Sequence, residues 1–150
     1  MNAIQKTLAA TLVAAFGMAL APSAGARSTI AFGGAPNPLT AANCFAESYG
    51  RVTNTCSSQQ TWEMALPIDA AGQWTLAVNV TPGSGSVSCM AFAVNQDGTD
   101  ASNSSNTPAN AGTGAQNINL TVPAVPGAGS LYLGCFLTQG ASVNTVNWNH

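Results

Sequence analysis

Charge is what this chain lacks most: its 150 residues include three basic and five acidic side chains and a single histidine. One of the bases, Lys6, lies within residues 1–26, so the rest of the chain sets Arg27 and Arg51 against Glu47, Glu63, Asp69, Asp97 and Asp100 and contains no lysine. So few cations cannot build the dense positive face that neutralises phosphates, which argues against a nucleic-acid partner. An anionic lipid surface is disfavoured for the same reason. Without lysine, intramolecular isopeptide crosslinks are excluded as well.

The shortage of acid–base groups bears on catalysis. The histidine is His150, the last residue, and chain ends fray. A nucleophilic triad needs a firmly held imidazole. Glu63 with Glu47, or with Asp69, is a carboxylate pair of the glycosidase kind, but such a pair needs a sheltered cleft holding the groups roughly 5–9 Å apart. No insertion in the chain is long enough to wall one, and Glu63 is expected to face solvent. No catalytic residue is therefore expected, and a small secreted hydrolase is the least favoured reading. Metal and cofactor sites are not expected either. Residues 95–100 (NQDGTD) place oxygen ligands around a glycine but lack the closing glutamate of a calcium loop, so they read as a turn. The glycine clusters have neither the lysine nor the following helix of a phosphate cradle.

Long hydrophobic runs are scarce too. Lys6, an apolar stretch from Leu8 to Ala21, Pro22 and the small residues Ala24, Gly25 and Ala26 form an export signal of bacterial style, with cleavage expected before Arg27. The stretch is shorter than the roughly 20 residues of a membrane-spanning helix, and nothing later in the chain is both apolar and unbroken, so no membrane span is expected. The predicted destination is the periplasm or the extracellular space. No twin arginine precedes the apolar run, so the chain is expected to cross unfolded and without a preloaded cofactor.

What the chain does have is four cysteines, all beyond residue 26. An even count in an oxidising compartment predicts two disulfides, and the spacings supply no closely paired metal ligands. Cys44 and Cys56 bracket a short polar segment, the simplest use of which is a local bridge. Cys89 and Cys135 each sit inside an apolar run, on a face shared with aliphatic neighbours, and are expected to pair with each other.

Beyond the signal, residues 27–40 break at two glycines and two prolines and read as a flexible N-terminal segment. Residues 41–150 read as one domain. Trp62, Met64, Leu66 and Ile68 alternate with polar or small residues, and so do Trp74, Leu76, Val78 and Val80, the period of strands with one buried face. Asp69, Ala70, Ala71 and Gly72 between them suit a hairpin turn. Val87 to Val94 and Leu131 to Leu137 are apolar in both phases, as expected of central strands. Residues 97–114 form a long polar excursion. Ile118, Leu120 and Val122 alternate again, and residues 143–148 close the chain. No stretch shows helical periodicity. The prediction is an all-β fold: a small disulfide-bonded antiparallel β-sandwich, jelly-roll or immunoglobulin-like, of about six or seven strands.

Such a scaffold points to touching rather than transforming. The first reading is a non-enzymatic surface-interaction or structural protein, a self-assembling subunit or adhesion module whose partner is a protein or glycan at the cell surface, or another copy of itself. In one version Ser28, Thr29, Ile30, Ala31 and Phe32 form a strand lent to a neighbouring copy. The alternative is a carbohydrate-binding module that stacks sugars on exposed aromatic rings. Trp62 and Trp74 share their phase with aliphatic residues and are assigned to the core. Tyr132 and Phe136 lie on the phase opposite Leu133 and Cys135 and are the expected stacking residues, with Trp148 beside them.

Overall fold

The computed structural model describes residues 25–112 and 114–150, so the export signal predicted at residues 1–26 falls, up to residue 24, outside the described residues. In chain order the strands are β1 (Arg27–Ile30), β2 (Ala35–Asn37), β3 (Phe45–Ser48), β4 (Arg51–Asn54), β5 (Gln60–Leu66) and β6 (Gly72–Thr81). They continue with β7 (Val87–Val94), β8 (Asp100–Asn103), β9 (Thr107–Ala109), β10 (Gln116–Val125), β11 (Ser130–Leu137) and β12 (Ser142–Asn149). Two antiparallel sheets result. The first has the order β10-β6-β12-β4-β3, with β1 also on β12; the second has the order β2-β5-β11-β7-β8, with β9 also on β7. The fold is a small β-sandwich held by two disulfides, as the composition and periodicity predict.

Alternation decides which side chains meet between the sheets, because successive residues of a strand point to opposite faces. In the first sheet Trp74, Leu76, Val78 and Val80 of β6 turn inward, and the register sets Val122, Leu120 and Ile118 of β10 beside the first three. On the other side of β6, Trp148 and Val146 of β12 lie opposite Leu76 and Val78. The second sheet contributes Trp62, Met64 and Leu66 of β5 and Leu131, Leu133 and Leu137 of β11. These side chains form one continuous core, and each large one stabilises the fold by roughly 1.5–3 kcal/mol through burial.

Both disulfides join the predicted partners. Cys89 and Cys135 are directly opposite on β7 and β11 and fully buried. Cys44–Cys56 closes the β3–β4 region and remains partly accessible.

Three expectations are corrected. The runs at Thr61–Ile68 and Trp74–Val80 do not form a hairpin: β5 belongs to one sheet and β6 to the other, and residues 67–71 arch between them. A period of two fixes which face is buried but not which sheet a strand joins. Hydrogen bonds hold the arch, with the Trp148 indole N–H donating to the Pro67 carbonyl at 3.0 Å and that of Trp74 to the Ala70 carbonyl at 3.2 Å. The polar excursion at residues 97–114 is not unstructured throughout, since β8 and β9 pair with β7 there through main-chain bonds that need no large side chain. Short strands of this kind raise the count above the predicted number.

Residues 27–40, read as a flexible segment, carry β1, a 3₁₀ turn at Ala31–Gly33 and β2. The glycines there serve close approach instead of breaking structure. A Cβ on Gly34 would lie 2.2 Å from the Trp62 ring, so only glycine lets the chain cross that indole. Ala31 is buried, and its N–H donates to the Gly50 carbonyl. At the start of β1, Arg27 pairs with Asp69 and lies 5.2 Å over the Trp74 ring, tying the segment to the arch.

Asn54 is the most fully engaged buried polar side chain. Its amide donates to the carbonyls of Ser58 (2.9 Å) and Leu137 (2.8 Å), and its oxygen accepts from the Cys56 N–H (2.9 Å). The Leu137 bond links β4 in one sheet to β11 in the other. Replacing Asn54 by Ala removes all three bonds, of which the one to Leu137 is buried and the other two are part-buried and open to water, and a buried orphan costs about 1–3 kcal/mol. Asn54→Ala is therefore expected to lower the unfolding free energy by about 1–3 kcal/mol, measured by urea titration. The bridges differ in exposure, so a native-state reduction series with a maleimide mass tag should label Cys44 and Cys56 well before Cys89 and Cys135. By loop entropy, Cys44→Ala/Cys56→Ala is expected to cost about 3 kcal/mol and Cys89→Ala/Cys135→Ala about 4 kcal/mol.

Candidate functional site: an aromatic floor on one sheet face

The outward face of the second sheet is unusual for a solvated surface. Its inward phase on β7 is small (Cys89, Ala91 and Ala93), whereas the large residues Met90, Phe92 and Val94 point outward and stay half-buried. On β11, Tyr132 and Phe136 point outward on either side of Gly134. The register arranges these residues in three rows. Ala65, Tyr132 and Phe92 make one, Glu63, Gly134 and Met90 the middle one, and Thr61, Phe136 and Ser88 the third. Tyr132 and Phe92 stack with centroids 6.0 Å apart and planes 16° from parallel.

Gly134 shapes the middle of this floor. With no side chain at 134, the Phe92 ring leans across it, so that a Cβ there would sit 3.3 Å from the ring edge. The Phe92 ring thus covers the buried Gly134 backbone between Tyr132 and Phe136. Glu63 borders it, held by the Asn37 amide, which donates to its Oε1 at 2.7 Å. Among the described residues the second carboxylate oxygen has no hydrogen-bond partner. Phe92 and Tyr132 offer π-faces, and Glu63 and Asn37 offer hydrogen-bonding groups, the combination that grips a ring with one apolar face and hydroxyl-bearing edges.

The two arginines are elsewhere. Arg27 is engaged with Asp69 and Trp74, and Arg51 is exposed on β4 of the other sheet. Among the described residues, the floor thus has no cationic side chain to hold an anionic ligand.

Of the residues singled out in the sequence, Tyr132 and Phe136 share this face, and Trp148 does not. Trp148 sits in the other sheet with its ring turned inward, 5% exposed, and its N–H on the arch. Its shared phase with Val146, which is fully buried, is the physical reason. Phe92, Met90, Glu63 and Asn37 were not assigned to a site. Phe92 was traceable: it lies on the phase opposite Cys89, and Tyr132 on the phase opposite Cys135, so the disulfide places both rings on one face.

Ser28, Thr29 and Ile30 lie in β1, which pairs with β12 of the same chain; Ala31 is buried and Phe32 lies in the following turn. The strand is thus seated within its own sheet and not extended from it. Among the described residues the most exposed aromatic is Tyr49, at the β3–β4 turn with φ 51° and followed by Gly50 at φ 82°. It does not share the floor.

His150 is exposed yet not free: its ring packs edge-on to Trp74 at 5.4 Å and bonds the Ala71 carbonyl at 2.7 Å. The segment at residues 95–100 is a turn closed on itself. Asp97 accepts from both the N–H and hydroxyl of Thr99, and these bonds hold its carboxyl below the usual aspartate range. Among the described residues, no group of three or more metal-ligating side chains converges, and no helix is long and apolar enough to cross a membrane.

No protein family matches the chain in sequence, and no curated protein does. Among solved structures, it is similar to a GH26-CBM35 β-(1,4)-mannanase from Podospora anserina, with TM-score 0.57 and 10% identity over 84% of this chain and 28% of that one. It is also similar to the C-terminal CBM6 of LamC, a marine laminarinase from Zobellia galactanivorans, with TM-score 0.53 and 8% identity over 84% of this chain and 100% of that module. At these identities the likeness is one of fold.

Proposed function

We propose that the chain is an exported, non-enzymatic carbohydrate-binding module that takes a neutral glycan on the outward face of the second sheet. The observation that carries this reading is the floor itself. Two stacked rings and a third aromatic gather around Gly134, over which the Phe92 ring leans, with one oriented carboxylate at the border. A cluster of partly accessible aromatic rings that the core does not need supports a binding role over a structural one. The β-sandwich neighbours support the same reading at the level of fold, and the two disulfides support an oxidising destination.

The charge balance narrows the ligand. Uronic acids and sulfated sugars need cations, and the floor has none, while Glu63 repels them. Neutral hexose polymers fit: their C–H faces lie on Tyr132, Phe92 and Phe136, and their hydroxyls donate to the free oxygen of Glu63. Stacking on flat rings without a deep cleft suits the exposed surface of a polymer.

Affinity electrophoresis and pull-down on insoluble polysaccharide test the reading, with β-(1,4)-mannan and laminarin as first probes. Retention is expected on at least one neutral polymer. Tyr132→Ala and Phe92→Ala are each expected to weaken it about 10- to 30-fold, or about 1.4–2 kcal/mol, with the fold intact by circular dichroism. Glu63→Gln, which still accepts a hydroxyl, should weaken it less. Retention unchanged in both aromatic variants, or no retention on any neutral polymer, overturns the proposal.

A further inference from the structure

The opposite face of the sandwich carries a feature that the aromatic floor does not use. On the outward face of the first sheet, β6 runs between β10 and β12, and the register aligns Asn119, Ala77 and Asn147 in one row and Thr121, Thr75 and Asn149 in the next. Ala77 is the small member of its row, so the two asparagines face each other across a gap of two strand spacings, about 10 Å. A groove of about 350 Å³ occupies this place, with Leu76, Leu120 and Trp148, whose side chains turn to the core, at its floor.

Hydrogen bonding divides this face in two. Beyond the groove the polar side chains bond to one another, although the buried Asn144 Oδ1 has no partner among the described residues. Asn79 donates to Asn117 at 2.8 Å, and Asn144 donates to Asn79 at 2.8 Å and to Thr81 at 3.1 Å. Within the groove Thr75 donates to Asn149, while among the described residues the side chains of Asn119, Thr121 and Asn147 have no hydrogen-bond partner. The hollow thus coincides with the unengaged amides. Each primary amide offers donors and an acceptor, and no charged side chain lines the groove.

From this juxtaposition we infer a second ligand site, independent of the aromatic floor, that binds a neutral saccharide edge-on by hydrogen bonds from Asn119, Asn147 and Thr121. The groove has no aromatic wall, so it selects for hydroxyl pattern where the floor selects for a flat apolar ring face. Ala26 forms part of its lining, and cleavage before Arg27, as the sequence predicts, removes that residue and widens the opening. The sites lie on opposite outer faces of a rigid sandwich, so a chain filling both bridges two glycan strands.

Titration of the isotope-labelled protein with β-(1,4)-mannohexaose and laminarihexaose, followed by amide chemical shifts, tests this. Shifts are expected at Ala77, Asn119 and Asn147, separately from those at Phe92 and Tyr132. Ala77→Arg, which fills the gap from an outward position, should weaken the groove response at least tenfold and leave the aromatic response intact. Asn147→Ala repeats the test without added bulk, and Tyr132→Ala should do the reverse. Shifts confined to the aromatic face, or a groove response unchanged in Ala77→Arg and Asn147→Ala, overturn this inference and leave the first site standing. Shifts confined to the groove support it and overturn the aromatic site, and no shift with either sugar overturns both.

Discussion

Contact between the inner faces of the two sheets is the interaction on which this structure depends. With so few charges, ion pairs contribute little: Arg27–Asp69 is a surface pair, a type worth about 0–1 kcal/mol. Burial of Trp62, Trp74, Leu133 and their neighbours supplies the driving force, but burial is non-directional and does not by itself say which strand joins which sheet. Direction comes from a few hydrogen bonds that cannot be made otherwise. The Trp74 and Trp148 indoles each require an acceptor where they lie, and the arch carbonyls supply it. Asn54 performs the same service between β4 and β11. The sandwich is therefore apolar in its energy and polar in its specificity.

That division leaves both outer faces free of structural duty, and they have diverged. The outer face of the first sheet is asparagine and threonine, largely hydrogen-bonded along and across strands. The outer face of the second is aromatic where it is crossed by β7 and β11. A strand apolar in both phases ordinarily implies cover on both sides. Here one side is covered by the opposing sheet and the other is half-exposed, so the second apolar phase is surplus to the core. The excess sits around a glycine over which the Phe92 ring leans and beside a carboxylate held in orientation, an arrangement that packing alone does not require.

Much of this was legible in the chain. The alternation of β6 and β10 gave their buried faces, and the even count of cysteines with their phases gave both bridges. Tyr132 and Phe136 were placed on the outer phase by Leu133 and Cys135. What escaped the sequence has physical causes. Hairpin and inter-sheet arch share the same turn residues, so residues 69–72 did not discriminate between them. Gly33, Gly34 and Pro36 carry the usual marks of a loose segment, yet Gly34 is small because Trp62 lies against it. β8 and β9 are held by main-chain bonds that leave no apolar pattern. Trp148 turns inward, as its phase with Val146 points, and the small inner residues of β7 make its two phases look alike, which hides Phe92 among the candidate rings.

The buried disulfide connects core to floor. Cys89 and Cys135 are cross-strand partners, and the residues that follow or precede them, Met90 with Gly134, are the next pair and lie on the outer face. A slip of one residue between β7 and β11 would turn every side chain to the wrong face, carrying Phe92 and Tyr132 inward. The covalent bond forbids that slip in the strand pair that bears the stacked rings. It also fixes the spacing of the two rings in the strand pair. On the proposed reading, in which this face takes a glycan, such a preformed surface leaves little ordering to be done on binding, and in a domain with almost no charges to orient a partner at long range that preorganisation is the route to affinity.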